Sequence, residues 1–257
     1  MGVLNCTPDS FSDGGRFAGA EPAIAAGVEM AAGGADWLDI GGESTRPGAT
    51  PVAADEEQRR VVPVIAGLAS ALGGRLRLSV DTYKASTARA ALAAGASVVN
   101  DVSGGLLDPA LLDVAAAGGA AIVLGHLRGA PAAMMDGIAF GDVVAEVIDE
   151  LGARVRAAQQ AGCQEIWVDP GIGFGKRLEH NVALLRGLPA LVSALGVPVM
   201  VGVSRKAFLG QLTGRAPGER VFGTAAAVTI AVRGGARAVR VHDVPAMRDV
   251  VLVADAI

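Results

Sequence analysis

Eight short runs rich in Val, Ile and Leu alternate with longer Ala- and Leu-rich stretches, and this alternation limits the possible folds more than any other feature. Most runs are continuously apolar, as is typical of parallel strands buried on both faces. The longer stretches have helical patterns, as over Ala85–Ala94 and Val182–Leu195. The predicted strands are Met1–Asn5, Trp37–Ile40, Leu76–Asp81, Ser97–Asp101, Ala121–His126, Glu165–Asp169, Pro198–Val203 and Ala238–Val241.

Eight β-then-α units in 257 residues predict an α/β fold, a (β/α)8 barrel of the TIM type forming one domain over residues 1–257. A doubly wound open sheet is the alternative that the alternation leaves open. Glycine commonly caps a helix in the left-handed conformation, so repeated glycine phrases after helices support equivalent units. Such phrases occur at Gly33–Asp36, Gly95–Ser97, Gly118–Ala120, Ala161–Gln164 and Gly234–Arg237.

The composition narrows the classes of function. With 22 basic and 26 acidic residues, the formal net charge is −4, which argues against a nucleic-acid-binding surface. An anionic ligand must therefore be bound by a local cluster of hydrogen-bond donors. Cys6 and Cys163 alone form neither a disulfide framework nor a zinc site, and we expect two reduced, buried thiols. Neither a signal peptide nor a membrane-spanning run is visible, which predicts a cytoplasmic protein.

Polar residues lie at or just after the C-terminal ends of the predicted strands. In a barrel these ends share one face, which is where active sites of this fold are built. Each residue taken singly could instead cap the following helix, but the whole set favours a ligand-binding face. The set is Asn5, Glu43, Asp81, Asn100, Asp101, His126, Asp169, Lys206, Arg240 and His242.

Seven motifs at these strand ends resemble those of dihydropteroate synthases, in the same order and over essentially the whole chain. They are Asn5–Gly15 (NCTPDSFSDGG), Asp39–Gly48 (DIGGESTRPG), Ser79–Lys84 (SVDTYK), Asn100–Gly105 (NDVSGG), Asp169–Lys176 (DPGIGFGK), Gly202–Lys206 (GVSRK) and Arg240–Val244 (RVHDV). The resemblance implies a transferase of folate biosynthesis. In its reaction, p-aminobenzoate displaces diphosphate from (7,8-dihydropterin-6-yl)methyl diphosphate to give 7,8-dihydropteroate. It also implies a homodimer and a sulfonamide target.

The resemblance assigns pterin-binding roles to five residues. Asp169 resembles the carboxylate that accepts N–H groups from the pterin edge, and Asn100 resembles its partner. Asp81 resembles a second ring contact, where a carboxylate would stabilise positive charge on the departing methylene. Phe174 is expected against the ring. Lys206 is expected between the two substrates, in contact with the pterin carbonyl.

The leaving diphosphate requires cations and hydrogen-bond donors. By resemblance, Asn5 is the expected ligand of a Mg2+ cofactor, since an amide oxygen is a hard donor. Arg240 and His242 resemble the pair that binds the diphosphate. Zinc binding by His126, His180 and His242 is a rival idea, but their spacing fits no local zinc motif.

Two long loops, Thr7–Glu21 and Gly41–Asp55, follow the first two predicted strands, and long loops on this face of a barrel are often lids. The resemblance implies that they close over p-aminobenzoate, with Thr45 also reaching the diphosphate. The residues expected around p-aminobenzoate are Phe11, Asp13, Thr45, Arg46, Pro47, Lys206 and Ala207. Of these, Asp13, Arg46 and Lys206 are expected to act in catalysis together with Asp81.

Two departures from the family pattern bear on function. Gly125 stands where the family usually has Met, which would remove a side chain from the wall behind the pterin. Ala207 stands where many members have Ser beside the p-aminobenzoate carboxylate. Two alternatives stay open: a methyltetrahydrofolate-dependent methyltransferase, which uses a related barrel, and a homologue that binds pterins without turnover.

Overall fold

The strands of the computed structural model follow one another around a ring in chain order, all of them parallel. The structure describes residues 1–7, 20–45 and 48–257. Within these residues the strands are β1 (Gly2–Asn5), β2 (Trp37–Gly41), β3 (Arg77–Asp81), β4 (Val98–Asp101), β5 (Ala121–Gly125), β6 (Ile166–Asp169), β7 (Met200–Gly202) and β8 (Ala238–Arg240). Each lies inside or within one residue of its predicted run.

Two short contacts close the ring. Strands β1 to β6 form one sheet, and β7 pairs with β8. A parallel bridge between Val168 and Val199 joins β6 to the segment that leads into β7. Another bridge, between Gly2 and Val241, joins β1 to the end of β8, where the Val3 amide donates to the Val241 carbonyl at 2.9 Å. The predicted barrel is confirmed, and the open sheet is excluded.

The helices pack around the outside of the strands. In the described ranges they are α1 (Glu21–Ala32), α2 (Ala54–Leu72), α3 (Ala85–Ala93), α4 (Ala110–Ala117), α5 (Val143–Gln160), α6 (Leu178–Arg186), α7 (Leu188–Leu195), α8 (Ala207–Thr213), α9 (Val221–Arg233) and α10 (Val244–Ala256). Short 3-10 turns occur at Pro131–Ala133 and Pro217–Glu219. No helix in these ranges has both the length and the hydrophobicity that crossing a membrane requires.

The helical pattern predicted over Val182–Leu195 is helical in the structure, but it is divided between α6 and α7 with a break at Gly187. Pro189 lies in the first turn of α7. Proline has no amide hydrogen to donate within a helix, and the first turn of a helix needs none, so Pro189 favours the start of a new helix here. The apolar periodicity persists across the break and therefore does not reveal it.

The glycine phrases behave as predicted. Each contains one glycine with positive φ after its helix: Gly34, Gly95, Gly119, Gly162 and Gly235. Both cysteines are free thiols in buried positions, again as expected.

The hydrophobic core has two parts, one between the strands and the surrounding helices and the other inside the barrel. Outward-facing strand residues such as Leu38, Ile40 and Val80 are fully buried against the helices. The lower interior holds a separate small cluster that includes Val98, Val123 and Met200. Because side chains alternate along a strand, the inward positions nearest the C-terminal ends are left to the polar residues described below.

Gly125, at the end of β5, is in close contact with the backbone after β4. A Cβ atom placed there would lie 2.7 Å from the Val102 carbonyl oxygen and 2.8 Å from the Val102 Cα. The backbone therefore fills the space that a side chain would take. The wall at Gly125 therefore lacks a side chain, as expected, and is formed there by the backbone of Val102.

Substituting alanine at two glycines tests this packing. We expect Gly125→Ala to lower the free energy of unfolding by about 1–3 kcal/mol, since the added methyl group overpacks against backbone. Gly223→Ala is the control, because Gly223 lies inside α9 and the Leu209 side chain would be 3.7 Å from the new Cβ. Alanine there should raise stability by about 0.5–1 kcal/mol. Urea unfolding of both variants measures the difference, and equal stabilities would contradict the close approach.

Candidate active site

The inward-facing residues at the C-terminal ends of the strands form one layer at the mouth of the barrel. The register places Asn5 beside Gly41, Gly41 beside Asp81, and Asp81 beside Asn100. Further round the ring, Gly125 pairs with Asp169 and Gly202 with Arg240. The strand ends thus bring the expected polar residues together, while Gly41 and Gly202 leave room in the layer that side chains would otherwise take.

Asp39 is the central acceptor beneath this layer and is completely buried. Its carboxylate accepts hydrogen bonds from Ser79 Oγ at 2.6 Å, Asn100 Nδ2 at 2.9 Å and Arg240 Nε at 2.6 Å. Arg240 Nη2 also donates to Asp81 Oδ2 at 2.7 Å. Burial alone would lower the pKa of Arg240, but Asp39 and Asp81 outweigh it and raise the pKa above its ordinary value. Arg240 is therefore a fixed cation between two carboxylates.

This network constrains residues that the sequence assigned to substrates. One amide N–H of Asn100 is bound to Asp39, so its oxygen and its remaining N–H are oriented. Arg240, expected at the diphosphate, faces inward and holds Asp39 and Asp81. Burial raises the pKa of Asp81, and Arg240 opposes that shift. Asp39 itself was given no role from the sequence, although a lone carboxylate inside the apolar run WLDIG was the available signal.

Asp169 presents one carboxylate oxygen to the mouth. Its Oδ1 accepts the Gly171 amide at 2.7 Å. Its Oδ2 lies 3.5 Å from the position that a Cβ on Gly202 would take, so it borders the space left by that glycine. Burial raises the pKa of Asp169, while the Gly171 amide and the Lys206 ammonium oppose the shift. The arrangement leaves an oriented acceptor beside a cation.

Lys206 lies across the glycine-rich loop that follows β6. A Cβ on Gly173 would meet Lys206 Cδ at 2.8 Å, so the absence of a side chain there admits the lysine stem. Lys206 Nζ lies 3.7 Å from the centre of the Phe174 ring, a cation–π contact. Burial lowers the pKa of Lys206 to about 8, although Asp169 opposes the shift. Lys206 and Phe174 thus meet at the mouth of the barrel.

A second lysine, Lys176, is buried and holds the backbone of the same loop. Lys176 Nζ donates to the Phe174 carbonyl at 3.0 Å and lies 3.0 Å from His126 Nδ1. Burial lowers the pKa of His126 to about 2, so its imidazole is neutral and Nε2 donates to Glu150 at 3.1 Å. Burial also lowers the pKa of Lys176 to about 7. Sequence reasoning placed His126 at the site face but missed Lys176.

His242 is held by the loop after β7. Its Nδ1 lies 3.0 Å from Ser204 Oγ, which also accepts the His242 backbone amide at 3.2 Å. The Ser204 hydroxyl has one hydrogen that it can donate to Nδ1, and in the tautomer with that bond Nε2 carries the N–H of the ring. Burial lowers the pKa of His242 to about 4, so the ring is neutral near pH 7.

Of the remaining residues expected at the site, the structure describes only some. Asn5 is exposed at the end of β1, Thr45 is partly exposed, and Ala207 is exposed as the first residue of α8. Phe11, Asp13, Arg46 and Pro47 lie outside the described residues.

The donor chemistry at Asn5 suits a magnesium ion that keeps most of its waters. An amide oxygen is a hard ligand of the kind Mg2+ accepts, and Mg2+ sites often combine one or two protein ligands with waters and phosphate. Within residues 1–7, 20–45 and 48–257, no group of three His, Cys, Asp or Glu side chains could enclose a metal.

The closed barrel has an oriented carboxylate, an amide and a cation at its mouth, which is the arrangement of a pterin-binding barrel enzyme. Residues 1–242 match the family described as pterin-binding enzymes. The dihydropteroate synthase of Synechocystis sp. is 47% identical, with 100% of this chain and 89% of that protein covered. For the Bacillus subtilis enzyme the identity is 45%, with 95% and 83% covered. The solved structure of the Xanthomonas albilineans enzyme with 4-aminobenzoic acid has a TM-score of 0.92 at 49% identity, with 100% and 91% covered.

The chain therefore belongs to the dihydropteroate synthase family. It is a transferase of folate biosynthesis that condenses (7,8-dihydropterin-6-yl)methyl diphosphate with p-aminobenzoate. The fold, the family and the reaction expected from the seven motifs are confirmed, and the methyltransferase and the silent homologue are set aside.

Removing the charge of Asp39 tests the buried network. Asp39→Asn deprives Arg240 of one carboxylate and should lower the free energy of unfolding by about 3 kcal/mol or more, because breaking a buried ion pair leaves an uncompensated charge. Ser79→Ala removes only a hydroxyl donor to the same carboxylate and should cost about 1 kcal/mol. Urea unfolding compares the two. A loss for Asp39→Asn no larger than that for Ser79→Ala would show that Asp39 does not anchor Arg240.

Proposed function

We propose that this enzyme binds its pterin substrate through Asp169, and the observation that carries the proposal is the free Oδ2 of Asp169 beside Lys206 at the mouth. A carboxylate that accepts two N–H groups matches the edge of a pterin ring. Asn100, oriented by Asp39, offers an oxygen and an N–H to the same ring. On the side of the loop after β6, the pterin ring is bordered by the phenyl ring of Phe174 and by the ammonium of Lys206, which lie 3.7 Å apart.

The proposed chemistry is displacement at the methylene carbon. The p-aminobenzoate nitrogen forms the new C–N bond as the C–O bond to diphosphate breaks, and the nitrogen then loses one proton. Lys206, protonated near pH 7, donates to the pterin carbonyl. Asp81 supplies negative charge to the methylene as positive charge develops there. Asp13 and Arg46 are the further catalytic residues in this proposal.

The proposed diphosphate site combines Arg240, His242 and Thr45. The neutral His242 ring has Nε2 free to donate, since Ser204 occupies Nδ1. Arg240 uses Nε and Nη2 for carboxylates, and the guanidinium has further N–H donors for a phosphate oxygen. Asn5 would hold Mg2+, and a bound Mg2+ would supply positive charge that stabilises the leaving diphosphate.

The proposed p-aminobenzoate site lies between Lys206, Thr45 and Ala207, with Phe11, Arg46 and Pro47 as the remaining contacts. The Xanthomonas albilineans relative was solved with 4-aminobenzoic acid, and a Yersinia pestis relative, 40% identical, was solved in complex with a sulfonamide drug. These similarities support a sulfonamide-sensitive site here. Ala207 offers a methyl group where a hydroxyl would meet the substrate carboxylate.

The proposed assembly is a homodimer through the helices late in the barrel. On α9, Phe222 is 85% exposed and Ile230 is 49% exposed, and Ala226 between them completes an exposed stripe with four-residue spacing. On α10, Leu252 and Val253 are also exposed. Clustered apolar side chains of this kind mark protein–protein contacts. The cytoplasmic location stays a prediction.

The proposed reaction is tested by measuring diphosphate release from the pterin diphosphate and p-aminobenzoate, with and without Mg2+. The Asp169→Asn variant tests the central contact of the proposal. The variant places an N–H opposite the pterin N–H groups, so pterin affinity should fall roughly thirty- to a thousand-fold, or about 2–4 kcal/mol. Calorimetric titration with a pterin measures this. A folded variant with unchanged affinity would remove Asp169 from the ring site.

Phe222→Glu tests the dimer. A charge within an apolar interface should raise the dimer dissociation constant at least tenfold, because the carboxylate loses its hydration on burial. Sedimentation equilibrium measures it, with Glu219→Gln, in the neighbouring 3-10 turn, as the control. A monomeric parent chain, or an unaltered constant for Phe222→Glu, would contradict the proposed interface.

A further inference from the structure

The loop after β2 is closed at its base by the carboxylate of Glu43. Glu43 Oε2 accepts the backbone amide of Val52 at 2.9 Å, so the two ends of the loop are joined. Glu43 Oε1 accepts the Tyr83 hydroxyl at 2.8 Å. The Glu43 side chain is only 6% exposed, so it faces the protein beneath the loop.

Lys84 supplies the cation for this carboxylate. Its Nζ lies 2.5 Å from Glu43 Oε2 and 3.0 Å from Glu57 Oε2 in the first turn of α2. Thr87 Oγ1 donates to the same Glu57 oxygen at 2.9 Å. Burial would lower the pKa of Lys84, but Glu43 and Glu57 outweigh it and raise the pKa, so the ammonium stays charged. One cation is therefore shared by two buried carboxylates.

The cluster of Glu43, Glu57, Tyr83 and Lys84 joins three elements near the mouth. Lys84 follows Asp81 by three residues, so it belongs to the loop that carries a proposed ring contact. Glu43 precedes Thr45 by two residues on the neighbouring loop. Arg60 of α2 adds a donor to the Gly42 carbonyl at 2.9 Å. None of the four side chains is among the residues assigned to a substrate.

We propose that Lys84 is a positioning residue that fixes the loop after β2 and thereby determines the affinity for p-aminobenzoate. The inference rests on the proposed contact between Thr45 and p-aminobenzoate. Without the ammonium, Glu43 and Glu57 are two buried carboxylates that repel each other and favour solvent. Glu43 then releases the Val52 amide, and the loop must be ordered again each time p-aminobenzoate binds, which weakens binding.

Steady-state kinetics and pterin calorimetry on the full chain test this role. Lys84→Met should raise the KM for p-aminobenzoate about tenfold, while the Kd for a pterin and kcat stay within about twofold. Lys84→Arg, which keeps the charge, should restore most of the affinity. Arg77→Met is the matched control: it removes an ion pair with Glu165 from the opposite end of β3 and should leave the KM unchanged.

Two further variants keep the test decisive. If Lys84→Met does not fold, Tyr83→Phe removes one donor from Glu43 and should raise the same KM about threefold with unchanged pterin affinity. Thr45→Val separates this inference from the proposed function. A raised KM for Thr45→Val with an unchanged KM for the Lys84 or Tyr83 variant would overturn the role of Lys84 alone. An unchanged KM in all of them would overturn both, and a parallel loss of pterin affinity would reduce Lys84 to a general structural role.

Discussion

The guanidinium of Arg240 is the interaction on which the mouth of the barrel depends. It joins the end of β8 to Asp39 on β2 and Asp81 on β3, across the interior rather than along the ring of strands. Without it, Asp39 would be a fully buried anion with only neutral donors, which is a costly state. Since Asp39 also orients Asn100, the position of a proposed pterin contact on β4 depends on a cation that β8 supplies.

The sequence predicts the ring of polar strand ends but not the bonds that cross it. Parallel strands place their C-terminal ends together, so Asp81, Asn100 and Asp169 could be assigned to one face from pattern and resemblance alone. Which side chains meet across the interior depends on how the strands are staggered when the ring closes, and no local pattern contains that information. Asp39 was missed for this reason, although its carboxylate accepts hydrogen bonds from three side chains on three other strands.

Two other features that the sequence did not reveal also come from the backbone. The helical pattern runs through Gly187 into α7, yet the main chain breaks at Gly187 and α7 begins with Pro189 in its first turn. Gly125 reads as a lost side chain when compared with the family, yet the Val102 backbone already occupies that space. In both cases the pattern of side chains is correct and the course of the main chain decides the outcome.

The lysines show how a chain of net charge −4 keeps an anion site. It has only three, Lys84, Lys176 and Lys206, and each follows a strand at the mouth. Two carboxylates neutralise Lys84, whereas burial lowers the pKa of Lys176 to about 7 and that of Lys206 to about 8. In the proposed complex, diphosphate brings negative charge near Lys206, and nearby opposite charge favours the protonated ammonium. In that complex the diphosphate would therefore reinforce the protonated state that Lys206 already has near pH 7.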